Sequence, residues 1–68
     1  MNDAILYAMQ RTRTPYKDQL TGLWVVRWEN NGKWQQESFN DDGDAWYFYH
    51  RKFGEFKAQF MTQERGGK

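Results

Sequence analysis

Apolar residues recur with two different periods in this chain, and the periods divide it into elements. Trp46, Tyr49, Phe53, Phe56 and Phe60 follow one another at spacings of 3, 4, 3 and 4. That is one face of an amphipathic α-helix, and it predicts a helix at about 42–61. Asn40-Asp41-Asp42-Gly43-Asp44 precedes it. Any of these Asx residues suits the cap, and acids in the first turn complement the helix dipole. Gly54 interrupts the pattern at a cost of about 1 kcal/mol relative to Ala, so it marks a kink, a close contact or an early end. Upstream, Leu23–Glu29 and Lys33–Phe39 read as strands rich in Trp, Val and Phe. Asn30-Asn31-Gly32 between them is a strong hairpin signal. At the N-terminus, Asn2 or Asp3 caps a short helix through Ala4–Gln10, with Ile5 and Met9 four apart on one face and Leu6 beside them. Pro15 biases Thr14 to extended geometry and ends that helix. Thr14–Lys17 then connects to the hairpin or forms a short edge strand.

The predicted fold is α+β: a short N-terminal helix, a two- or three-stranded antiparallel sheet, and a long C-terminal helix packed on it. Residues 1–62 form a single domain and 63–68 a disordered tail. The stripe from Trp46 to Phe60 is expected to cover one sheet face, with Ile5 and Met9 closing an edge.

The hairpin register decides what the tryptophans do. A two-residue Asn31-Gly32 loop sends Trp34 to the face opposite Trp24 and Trp28. A three-residue loop, with Gly32 left-handed, pairs Glu29 with Lys33, Trp28 with Trp34, Val26 with Gln36 and Trp24 with Ser38. The second register is preferred: it gathers the three indoles and Val26 on one face and sets Glu29 opposite Lys33 and Leu23 opposite Phe39. With the helix on that face the indoles are core, and Arg27, Gln35 and Glu37 face outward. With the helix on the Leu23/Val25/Phe39 face the indoles are a binding surface. The first arrangement is preferred, because a 68-residue chain needs its largest side chains inside.

Composition sharpens this picture. The chain has no cysteine and one histidine, so neither disulfides nor a conventional zinc site supports it. Thirteen aromatics (5 Phe, 4 Tyr, 4 Trp) must supply the buried area instead. Net charge is +1, but it is unevenly placed. Arg11, Arg13 and Lys17 form one basic run, while Glu37, Asp41, Asp42 and Asp44 form an acidic one. No stretch approaches the ~18 apolar residues of a membrane span, and Met1–Met9 lacks the basic start and apolar run of a signal peptide. A cytoplasmic location is expected.

The chain reads as a non-enzyme that needs no cofactor or metal. Aligning Gly43 with the sixth position of a calcium loop puts Tyr49 where the twelfth-position glutamate belongs, so the acids read as a helix start. His50 lies between Tyr49 and Arg51 without a neighbouring triad partner. No glycine-rich phosphate loop or nucleophile elbow occurs. Two binding readings remain. Basic residues interleave with aromatics at Arg11, Arg13, Lys17, Arg27 and Lys33, the pattern of phosphate contacts beside stacking platforms. DNA is the partner this suggests first, although Arg27 and Lys33 also suit simple cross-strand pairing with Gln35 and Glu29. Alternatively Trp24, Trp28 and Trp34, with Asp41, Asp42 and Asp44, dock on a basic host protein, making the chain a regulator or inhibitor of a host enzyme. The oligomeric state stays open.

The aromatic strand Leu23–Trp28, the turn Asn31-Gly32-Lys33, the strand ending in Ser38-Phe39 and the helix start Asp44-Ala45-Trp46 carry a resemblance. Residues 22–53 resemble the AP2-like, arm-type DNA-binding domains of phage tyrosine integrases. The resemblance implies a three-stranded sheet entering the DNA major groove, a helix packed behind it, and a phage or mobile-element origin. It implies no catalytic integrase residues. In size and aromatic content the chain also resembles small phage accessory proteins that bind and modify host factors.

Overall fold

The computed structural model describes residues 3–66, with side chains to Thr62. The elements are α1 (Asp3–Arg11), β1 (Thr12–Lys17), β2 (Trp24–Asn30), β3 (Lys33–Phe39) and α2 (Asp42–Gly66). The three strands form one antiparallel sheet in the order β1-β2-β3. The fold is α+β, and the short edge strand entertained at Thr14–Lys17 is a full strand that starts at Thr12. No helix among the described residues is long and apolar enough to cross a membrane. Asn2, one of the two expected caps of α1, lies outside the described residues. So do residues 67 and 68 of the expected tail, whose first four residues continue α2 to Gly66.

The hairpin register differs from the one preferred on sequence grounds. Asn30 pairs with Lys33, Glu29 with Trp34, Trp28 with Gln35, Val26 with Glu37 and Trp24 with Phe39. The loop is therefore two residues long. Asn31 has φ 55° and Gly32 φ 82°, the two left-handed residues of a type I′ turn. That turn matches the right-handed twist of the flanking strands, and Asn-Gly is the pair that adopts it most cheaply. Its chemistry outweighs the gain from gathering three indoles. Trp24, Val26 and Trp28 line one face of the sheet, while Trp34 lies on the other.

The long helix α2 covers the Trp24/Val26/Trp28 face. Phe48 meets Trp28 and Phe39 with ring centroids at 5.2 Å in each case. Ala45 and Val26 are fully buried, so a small side chain brings helix and sheet into close approach. The stripe expected to cover the sheet is thus corrected: Ala45 and Phe48, which lie beside that stripe, meet the sheet, because the small Ala45 admits the close approach. Phe56 and Phe60 meet Tyr7 of α1, at 6.4 and 5.3 Å, while Trp46 stays 39% exposed. α1 turns Ala4 and Ala8 inward, both buried, and leaves Ile5 and Met9 37% and 54% exposed. The expected Ile5/Met9 face is therefore corrected by one position. The physical reason is size: α2 already presents large rings, and alanines let α1 approach them.

Junctions between elements are satisfied locally. Thr12 is buried and its Oγ1 donates to the Ala8 carbonyl at 2.8 Å, closing α1 where β1 begins. A bulge between Arg13 and Tyr16 takes up Thr14 and Pro15, so the proline's missing N–H costs the ladder no hydrogen bond. Asp41 caps α2: its Oδ2 accepts the Asp44 N–H at 3.2 Å, and its carbonyl accepts the Ala45 N–H at 3.2 Å.

Gly54 lies within α2, and a Cβ built on it meets nothing within 4 Å. Gly54→Ala is therefore expected to raise stability by about 0.5–1 kcal/mol, read from urea unfolding. Phe48→Ala should destabilise by roughly 3 kcal/mol, and by more than Phe53→Ala, because Phe48 alone joins α2 to both Trp28 and Phe39. Equal midpoint shifts for the two variants would contradict this packing.

Candidate nucleic-acid interface

One side of the sheet has no helix on it. Strand alternation places Arg13 and Tyr16 of β1, Val25, Arg27 and Glu29 of β2, and Trp34, Gln36 and Ser38 of β3 on that side. Val25 is buried between its partners Tyr16 and Ser38. The remaining residues form a largely polar surface around one indole.

Arg13 and Arg27 are direct cross-strand partners, an arrangement of like charges that is unfavourable by itself. Trp34 compensates for it. The Arg13 guanidinium carbon lies 4.7 Å from the Trp34 ring centroid, and that of Arg27 lies 5.7 Å from it. Each is within cation–π range. Trp34 sits on β3, two strands from Arg13, so its indole reaches across β2 to serve both cations. Arg13 also donates to the Thr12 carbonyl at 2.9 Å and reaches the Met9 and Gln10 carbonyls at 3.4 and 3.5 Å. It thus spans the C-terminal end of α1 and the sheet face, which fixes its head group. Among the described residues the ion pairs are Arg51–Glu55 and Lys52–Glu55, both on α2. Neither open-face arginine is neutralised by a carboxylate within 4 Å, and the acid nearest in register is Glu29, opposite Trp34.

The five basic residues expected to contact DNA are not brought together. Arg13 and Arg27 share the open face. Arg11 folds back on α1, with its guanidinium 3.8 Å from the Tyr7 ring centroid and a hydrogen bond to the Tyr7 carbonyl at 3.3 Å. Lys17 pairs with Trp24 and Lys33 with Asn30, so both belong to helix-side rows, exposed at opposite ends of the sheet. The protein-docking set is also divided. Trp24 and Trp28 are half-buried on the helix side, and Lys52 Nζ lies 4.8 Å from the Trp28 ring. Trp34 is on the far face. Asp42 and Asp44 lie in the first turn of α2, and Asp41 caps it. The outward face expected as Arg27, Gln35 and Glu37 is instead Arg27, Gln36 and Trp34. Sequence reasoning did not place Gln36 or Tyr16 on this face: the Asn-Gly turn length locates Gln36, while Tyr16 is set there by the β1 bulge, which has no comparable local signal.

Among the described residues no three His, Asp or Glu side chains gather around a common metal position. His50 packs against Trp46 and Tyr49, with ring centroids at 6.0 and 5.5 Å. Clefts of about 210 and 180 Å³ lie behind the hairpin tip, where Asn30, Phe56 and Gln59 line both. Each is smaller than an ordinary small-molecule pocket of roughly 300–1,000 Å³. The open sheet face is the stronger candidate for recognition.

Because Trp34 supports two surface cations rather than the core, Trp34→Ala is expected to cost under about 1 kcal/mol, against roughly 3 kcal/mol for Trp28→Ala. Urea unfolding of the two variants checks this, and a reversed order would return Trp34 to the core.

No protein-family model matches this chain, and no curated protein or solved structure matches it.

Proposed function

We propose that this chain is a small non-enzymatic DNA-binding module, of phage or mobile-element type and acting in the cytoplasm, which lays its open sheet face on duplex DNA. One observation carries the reading: Arg13 and Arg27 stand side by side on an uncovered sheet face, unneutralised and held by one indole. Two adjacent guanidiniums with no carboxylate within 4 Å call for an anionic partner. A major groove of about 12 Å admits a β-ribbon, and arginine forks match both phosphates and the guanine O6/N7 edge. Gln36, paired with Arg27 in register, adds an amide suited to adenine. A helix packed behind the sheet supports this geometry, as the integrase arm-domain resemblance implies. Arg13 and Arg27 are retained from the expected contact set, and Arg11, Lys17 and Lys33 are left outside the face.

A second reading, docking on a protein, draws on the opposite end of the molecule. The β1–β2 loop and the start of α2 share that end. Leu20 is 96% exposed and Tyr47 67% exposed, near the acids Asp41, Asp42 and Asp44. Exposed apolar side chains at the end that carries these acids suit a basic protein surface.

A duplex-DNA titration at about 50 and 200 mM salt separates the two. With two arginines on the face, affinity is expected to fall roughly tenfold between these salts. Arg27→Ala should weaken binding by roughly 1–3 kcal/mol, while Arg51→Ala, behind the sheet and paired with Glu55, should leave it unchanged. No binding at the lower salt overturns the DNA reading and favours the protein partner.

A further inference from the structure

The two edges of the sheet are unlike. β1 carries Pro15 and a bulge and is continuous with α1, all of which discourage another strand from adding there. β3 has no such guard. It runs for seven residues without proline, glycine or bulge, and every residue from Lys33 to Ser38 is exposed. In a two-residue hairpin the flanking pair, Asn30 and Lys33, is hydrogen-bonded, and hydrogen-bonded and non-bonded pairs alternate from there. Lys33, Gln35, Glu37 and Phe39 therefore spend their backbone groups on β2. Trp34, Gln36 and Ser38 direct N–H and C=O outward.

We infer that this edge pairs with β3 of a second copy of the chain, antiparallel about a twofold axis at Gln35. The occupant is chosen by charge. Lys33 and Glu37 lie two residues either side of Gln35. About that axis Lys33 faces Glu37 of the second copy, and Glu37 faces its Lys33. Both are non-hydrogen-bonded pairs, where side chains stand roughly 4.5–5.5 Å apart at Cβ. Trp34 and Gln36 then exchange backbone hydrogen bonds with Gln36 and Trp34 of the second copy. A twofold centred on Gln36 instead opposes Lys33 to Phe39 and Glu37 to Gln35, with no charge pair. A lone edge lysine repels its own copy; a lysine and a glutamate placed symmetrically attract it. The product is a six-stranded sheet with both α2 helices on one side. Its open face carries two sets of Arg13, Arg27 and Trp34, so the second copy contributes residues to the candidate interface. The inference does not rest on the DNA reading, since association is measured without DNA.

Sedimentation equilibrium of the whole chain tests it. The wild-type chain is expected to dimerise at low salt. Lys33→Glu should weaken association at least roughly tenfold, and adding Glu37→Lys should restore it. A wild-type chain monomeric at concentrations on the order of 1 mM, or a double variant that stays monomeric, overturns the proposal. Single thiols check the axis, because the chain has no cysteine. Gln35→Cys is expected to cross-link under mild oxidation and Gln36→Cys is not. The reverse preference rejects the Gln35 axis and the charge argument with it.

Discussion

Two left-handed residues, Asn31 and Gly32, determine which side of the sheet every side chain of β3 faces. Strand alternation has a period of two, so a loop longer by one residue would invert the whole strand. With φ of 55° and 82°, the turn places Gln35 and Glu37 on the helix side and Trp34, Gln36 and Ser38 on the open side. The arginine–indole cluster exists only in this register. In the alternative, Trp34 would oppose Trp28, and Arg13 and Arg27 would be adjacent cations without a ring between them. Turn chemistry thus sets the electrostatics of a surface several residues away.

The core follows a second constraint, the matching of large side chains to small ones. A chain of 68 residues without disulfides cannot bury thirteen aromatics in one layer. It distributes them instead. Phe48 takes the sheet, Phe56 and Phe60 take Tyr7 of α1, and Tyr49 meets Phe53 along α2 with centroids 5.8 Å apart. Among the described residues the fully buried positions are Ala8, Val26 and Ala45, at which elements approach one another beneath the rings. Several aromatics consequently remain half-exposed. The domain is held together by ring edges and faces around a small aliphatic centre.

These constraints explain what was legible in the sequence. The period of α2, its acidic start and the Asn-Gly hairpin are local signals, and each element formed where its pattern placed it. Helix α1 also formed, but its inward face did not, since hydropathy ranks Ile5 and Met9 above Ala4 and Ala8 while packing needed small residues. The register departs from the expected one for a related reason. Gathering Trp24, Trp28 and Trp34 maximised apolar clustering on one face, but Phe48 and Ala45 already complete that layer. Of the five cations singled out, the two that share the open face are those whose strand parity matches Trp34. That parity depends on the hairpin loop length for Trp34 and Lys33 and on the β1 bulge for Arg13 and Lys17, and neither was readable beforehand.

Net charge is a weak guide for so small a chain. The total of +1 conceals a division along the sheet normal and along its length. On the helix Arg51 and Lys52 share the single carboxylate of Glu55, and the acids Asp41, Asp42 and Asp44 are committed to the start of α2. On the open face the arginine pair has no carboxylate within 4 Å. Its field is local, because beyond a Debye length of about 8–10 Å the solvent screens it. A partner must therefore come into contact before it senses the cations. Recognition would depend on shape and short-range hydrogen bonding more than on long-range steering. A flat sheet with a rigid Trp34 platform provides that shape, since the indole fixes the guanidinium planes before any partner arrives and reduces the side-chain entropy lost on binding.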